Sequence, residues 1–155
     1  MRRFLSQFFV ILLSMNVLNA RQLDSLSQAS IRNKVEEYFG ALQYDNLEVQ
    51  KSEADFMIEV SSDSLIRQFV ASEIYDFYSE SPVMGAENVA IHVFDKWFKE
   101  GPLKMKDDAD YFNASFFAEF NRMSLGGEKA PGIVMESADG SVTELYTGAD
   151  KGGIY

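Results

Sequence analysis

Few residue types in this chain have the spacing to support chemistry, and each group has a simpler structural reading beside its functional one. His92 is the only histidine in 155 residues. On a helix it shares a side with Asn88, Asp95 and Lys96, and Asp95, three positions away, is the carboxylate that spacing offers to orient it as a base. No Ser or Cys nucleophile can be placed beside it from spacing, so a solvated surface histidine is the commoner outcome. Asp107, Asp108 and Asp110 supply hard oxygens of the kind Ca²⁺ prefers. They lack the glycine and distal glutamate of an EF-hand, and aspartates in this position commonly cap a helix. Glu36/Glu37 and Glu73/Asp76 read as solvated helix faces, and sequence cannot place two carboxylates across a cleft as glycoside hydrolysis requires. Gly126-Gly127 followed by Lys129 has the wrong spacing for a phosphate loop. The residues thus point to no catalytic, cofactor-binding or metal-binding site, and no cofactor is implied.

Composition narrows the classes further. Cysteine is absent, so these residues hold no disulfide, thiolate or Cys-ligated metal, and no lipid anchor on a cysteine. With 14 basic and 24 acidic side chains the net charge is −10, which opposes non-specific attraction to nucleic acid or anionic membrane. The first twenty residues have the layout of a secretory signal. Arg2 and Arg3 precede the apolar run Phe8–Leu13, too short for a comfortable membrane span, and Ala20 is the best cleavage candidate. Cleavage there would leave 12 basic and 24 acidic side chains, a charge of −12. The expected localisation is export, to the periplasm or cell envelope, with no membrane contact after cleavage.

The elements that must position these residues are helical from 21 to 125. Ile31, Val35, Phe39 and Leu42 recur at helical spacing, and Gln43-Tyr44-Asp45-Asn46 breaks the pattern. A second helix turns Val49, Phe56, Met57 and Val60 inward, and Ser61-Ser62-Asp63 offers N-caps for a third. The third helix carries Leu65/Ile66, Phe69/Val70, Ile74 and Phe77/Tyr78, and ends at Ser81-Pro82, because the residue before proline is pushed out of the α region. Pro82 to Gly85 connects to a fourth helix, about Ala86–Lys99, with the stripe Val89/Ala90, Val93/Phe94 and Trp97/Phe98. Gly101-Pro102 stops it. Asp107 or Asp108 caps a fifth helix with the stripe Phe112, Phe116, Phe120 and Met123; such aromatics can line a ligand pocket, but core packing is the commoner role at this spacing and is expected here. The fold class is therefore mainly α, a five-helix, bundle-like domain in which each stripe is buried against another. With 13 Phe, 7 Tyr and 1 Trp, aromatic surface is ample for such a core.

The composition then shifts. Gly126 to Pro131 reads as a linker. Ile133–Glu136 and Val142–Leu145 flank Ser137-Ala138-Asp139-Gly140-Ser141, a hairpin signal, and Thr147–Gly153 is a glycine-rich turn. A lone hairpin is marginal, so the segment from about Lys129 onward is expected to be mobile or loosely docked.

Two stretches resemble a known family. Gly127-Glu-Lys-Ala-Pro-Gly-Ile-Val-Met, continuing through Asp139-Gly140 to Tyr146, is similar to the N-terminal hairpin of thioredoxin-like redoxins of the bacterial envelope, which include thiol–disulfide oxidoreductases and peroxiredoxin relatives. There a Gly-x-x-Ala-Pro stretch precedes the hairpin, the first core strand and a Cys-x-x-Cys active site; Lys151–Tyr155 sits where that strand would begin. Ser72 to Val93, Trp97 to Gly101 and Ala118 to Leu125 resemble the helical region that precedes the redoxin domain in exported proteins of Bacteroidetes-type bacteria, including regions catalogued as domains of unknown function. The resemblance implies a signal peptide (1–20), a helical accessory domain (21–125) and the truncated start of a thioredoxin-like domain (126–155). The implied function is that of the N-terminal part of an exported oxidoreductase, its helical part positioning a protein partner or packing on the redoxin domain. The family's catalytic cysteines lie beyond the matching region, so no active-site residue carries over. The alternative is a complete, non-catalytic helical binding module of the envelope. A hydrolase using His92 or the acidic residues is a third, weaker reading.

Overall fold

The computed structural model describes residues 23–61, 63–125 and 133–144. The expected signal peptide, Ser62 as a cap, the linker at 126–131, Leu145 and the glycine-rich turn at 147–153 lie outside these residues. Five helical segments and one hairpin follow in chain order: α1 (Ser25–Leu42), α2 (Leu47–Val60), α3 (Ser64–Ser79), α4 (Glu87–Val93) running directly into a π-helical turn (Phe94–Lys99), α5 (Asp108–Arg122), β1 (Val134–Glu136) and β2 (Val142–Glu144). The mainly-α, bundle-like class is correct.

The helices begin where short polar side chains can occupy the open backbone N–H groups of a first turn. Asp24 accepts from Ser27 N, Asn46 from Glu48 N, Asp63 from Leu65 N and Asp107 from Asp110 N. At the α2–α3 corner Arg67 donates to the carbonyl of Ser61 through Nε and Nη2, at 3.1 and 2.8 Å. It thereby satisfies the C-terminal end of α2 with a cation, the sign the helix dipole favours there.

One continuous core joins the helices. Val35 and Phe39 of α1, Met57 and Ile58 of α2, Val70 and Ile74 of α3, and Val89, Val93 and Phe94 of the fourth helix are all at most 1% exposed. Phe39 meets the Tyr78 ring edge-on at 5.5 Å, a favoured aromatic geometry. The Tyr78 hydroxyl finds no hydrogen-bond partner among the described residues.

Two inward faces differ from expectation. In α2, Phe56 is 38% exposed, and Gln50, Ala54, Met57 and Ile58 form the buried side instead. Gln50 is tolerated there because its Nε2 donates to the Asp45 carbonyl at 2.7 Å, so its amide is not stranded without a partner. In α5 the whole aromatic stripe points the other way: Phe112, Phe116, Phe120 and Met123 are 69, 63, 74 and 57% exposed, and the buried side is Ala114 and Ala118. The small alanines let α5 lie close to the bundle. Phe117 and Tyr111 fix it laterally, ring against ring with Tyr75 and Phe94.

The hairpin forms where its turn chemistry directs. Gly140 takes φ +79° and its N–H donates to the Ser137 carbonyl at 2.8 Å. Asp139 Oδ1 accepts from both the N–H and the hydroxyl of Ser141. The strands pair antiparallel with Met135 opposite Thr143. The residues from Ile133 to Val142 are exposed.

Candidate functional site

Two polar groupings and one apolar face stand out from the packed bundle. The first grouping collects around Asp55, which α2 presents toward the fourth helix. Trp97 Nε1 donates to Asp55 Oδ1 at 2.8 Å, while His92 Nε2 and the Lys96 ammonium approach Oδ2 at 3.0 and 2.9 Å. An ionised carboxylate only accepts, so His92 carries its proton on Nε2 in this arrangement. Lys96 also lies 5.2 Å from the centroid of the Trp97 ring. Burial pushes the Asp55 carboxyl up, but the hydrogen bonds from Lys96, Trp97 and His92 outweigh it and hold the group below its usual range.

The π turn makes this convergence possible. In an α-helix Trp97 would sit about 140° around from His92. In a π turn the fifth residue on comes roughly one turn later, which swings it back toward the same side. Glu100 N donates to the Asp95 carbonyl at 2.9 Å, the i→i−5 pattern. Gly101 seals the turn: a Cβ there would lie 2.4 Å from the Lys96 carbonyl oxygen and 2.6 Å from that of Trp97.

Asp95, the carboxylate that spacing offered to His92, is engaged elsewhere. It accepts from Arg122 of α5 at 2.9 Å and lies 4.0 Å from Lys99. Both oxygens of Asp55 are occupied, by three donors from the fourth helix. Such an arrangement neutralises a half-buried carboxylate and clasps α2 to α4, and His92 serves as one arm of it.

The second grouping borders a groove of about 1160 Å³ between α1, α3 and α5. Arg32 makes a two-pronged pair with Glu73, Nε to Oε2 at 2.7 Å and Nη2 to Oε1 at 2.8 Å. Glu73 is therefore not the solvated residue its spacing suggested: it is 8% exposed, its charge answered by a guanidinium fork. Asp76 is open to water on one side, yet its carboxyl is pushed up to about 6. Partial burial is the main cause, followed by repulsion from Glu73, Glu80 and Asp110. The same surroundings raise the Tyr75 phenol to about 12, first by burial and then by the charge of Asp76. Phe69, Tyr75, Met105 and Phe117 supply apolar wall, and Lys106 is the second cation lining the groove beside Arg32.

The expected acids separate accordingly. Asp107 caps α5, Asp108 is exposed, and Asp110 faces the groove. Glu36 and Glu37 are exposed on α1. Among the described residues no three His, Cys, Asp or Glu side chains form a metal-binding group, and no helix is long and apolar enough to cross a membrane. Sequence reasoning missed Asp55 and Arg32, because their partners lie 37 to 42 positions away. The one available signal was Asp55 itself, a carboxylate set between Ala54 and Phe56-Met57-Ile58. No protein-family model, curated protein or solved structure matches this chain.

Proposed function

We propose that this chain is a non-catalytic helical binding module whose groove between α1, α3 and α5 receives a partner segment that is basic and partly apolar. The observation that carries this reading is the groove's charge pattern. Arg32 is already paired with Glu73, which among the described residues leaves Asp76, Glu80 and Asp110 facing the groove against Lys106 alone. Asp76 is raised first by burial and then by the like charges of Glu73, Glu80 and Asp110; a cation seated among them answers those charges, and an apolar flank fits against Phe69, Tyr75 and Phe117. Complementary charge of this kind contributes orientation and association rate more than raw affinity.

Calorimetric titration with a short amphipathic peptide of alternating lysine and leucine tests it. Binding should weaken as salt is raised and drop about tenfold or more in Asp76→Lys or Asp110→Lys. Equal binding by those variants, or none by the native chain, rejects the groove.

A second reading places the module at the front of an exported thioredoxin-like oxidoreductase, where it would position a partner or pack on the redoxin domain. The hairpin favours it: a β-ribbon turning at Asp139-Gly140 follows the helical domain, in the order the resemblance implies. Export through a cleaved signal at 1–20 belongs to the same proposal. Sequencing beyond codon 155 decides between the readings. A strand followed by Cys-x-x-Cys supports the oxidoreductase, and an in-frame stop removes it while leaving the binding module intact.

A further inference from the structure

The outward side of α5 is an apolar face that the helical packing leaves open. Phe112, Phe116 and Phe120 are each about two-thirds exposed, with Met123 beside them, and the Phe116 and Phe120 rings stack at 6.1 Å and 19°. The helix cannot hide this stripe by rolling inward, because its opposite side is already seated through Ala114 and Ala118, each 2% exposed. Nor is it held outward by chance contacts, since Arg122 ties the C-terminal end of α5 to Asp95 and Tyr111 packs on Phe94 near the N-terminal end.

We propose that this face pairs with the same face of a second copy of the chain, the two α5 helices running antiparallel about a two-fold axis near Phe116. Three features fit a copy of itself. The phenylalanines occupy one i±4 row, and two such rows interdigitate when helices cross at about −50°. A two-fold axis at the middle of the row sets Phe112 of one copy beside Phe120 of the other, so a single patch serves both sides. Three phenylalanines and one methionine at these exposures leave about 450–500 Å² open per copy. Two copies that cover it fully bury about 900–1,000 Å² together, at the lower bound for a specific interface. Asp108 heads the same row and both it and Glu119 are exposed, which gives the aromatic strip a charged margin. The dimer is therefore weak and reversible. Because each copy carries −10, screening by salt strengthens it. The groove proposal predicts the opposite response to salt for its basic partner, and the two surfaces use different residues of α5, Asp110, Asn113, Ala114 and Phe117 for the groove and Phe112, Phe116 and Phe120 for this face, so either stands if the other fails.

Sedimentation velocity on the whole chain between ~1 and ~200 μM is the test. The native chain should pass from monomer to dimer over this range. Phe116→Ser should weaken association tenfold or more without lowering the melting temperature, because the side chain packs on solvent. The chain has no cysteine, so Phe116→Cys under mild oxidation should give a covalent dimer, and Met84→Cys, at a position 97% exposed and remote in sequence, should not. A native chain that stays monomeric, or association equal in Phe116→Ser, overturns the proposal. So does a Phe116→Cys/Met135→Cys variant that closes within one chain faster than between two, which would assign the face to the chain's own hairpin.

Discussion

The fourth helix and α5 carry apolar stripes of the same kind and end up in opposite surroundings. Val89, Val93, Phe94 and Trp97 are buried, while Phe112, Phe116 and Phe120 face water. Their charged neighbours divide the same way. Beside the fourth helix, Asp55 is answered by three donors. Beside α5, Asp76 and Asp110 share a groove in which acids outnumber free cations. Among the described residues, one flank of the bundle buries its apolar stripe and answers its half-buried carboxylate, while the other leaves an aromatic stripe open and Asp76 beside like charges. A folded chain minimises open aromatic surface and crowded like charge wherever nothing external compensates them, so the unsatisfied flank is where partners are to be sought.

Substitution should divide along the same line. Phe94→Ala on the satisfied flank removes a ring that is 1% exposed and should cost about 4 kcal/mol in urea unfolding. Phe116→Ala on the open flank should stay within about 0.5 kcal/mol of the native chain. Equal losses would erase the contrast and place Phe116 in the core.

Next in size is Asp55→Ala, which strands Trp97 Nε1 and leaves Lys96 and His92 without their shared acceptor; a loss of about 2–3 kcal/mol is expected. The folded state holds Asp55 below its ordinary pKa. Its contribution is therefore present above about pH 4 and fades as pH falls through the lowered value. A native chain whose stability is flat below pH 4, or matches that of the Ala variant at pH 7, would remove the clasp.

Gly101→Ala presses a Cβ onto the Lys96 and Trp97 carbonyls. It should cost about 2 kcal/mol by forcing the π turn to shift. Trp97 fluorescence should move with it, and an unchanged spectrum would show that the turn does not position the ring.

The smallest effect belongs to the open flank. Asp76 is raised to about 6 from 3.8, so between those values the folded chain binds more proton than the unfolded one and stability falls as pH rises. Asp76→Asn should remove that slope and stabilise the neutral-pH protein by about 1 kcal/mol, a figure kept low because the group meets solvent. A variant with the same pH profile as the native chain would mean that folding does not hold Asp76 above its ordinary pKa.

Much of the architecture is legible along the chain because it depends on neighbours in sequence. Asp63 and Asp107 cap their helices, Ser81-Pro82 follows α3, Asp139-Gly140 turns the hairpin, and Ile31, Val35, Phe39 and Leu42 are buried. The candidate sites were far less legible. Periodicity shows that Phe112, Phe116 and Phe120 share a side, but not whether that side faces in, and the size of Ala114 and Ala118 was the overlooked clue. His92 could be paired by spacing only with a residue of its own helix, while its acceptor lies on α2.

Local chemistry thus determined what this protein is made of: five helices, four of them begun by a capping side chain, a glycine-turned hairpin, an acidic and cysteine-free composition, and the apolar sides available for packing. Capping, turn formation and periodicity act over a few residues, so they are written in consecutive letters. Tertiary structure alone decided which side of α5 meets water, that Asp55 gathers His92, Lys96 and Trp97, that Arg32 forks onto Glu73, and that Asp76 and Asp110 come to border one groove. Those outcomes turn on how closely helices can approach and which charges then share a low-dielectric space, and both are properties of the packed bundle.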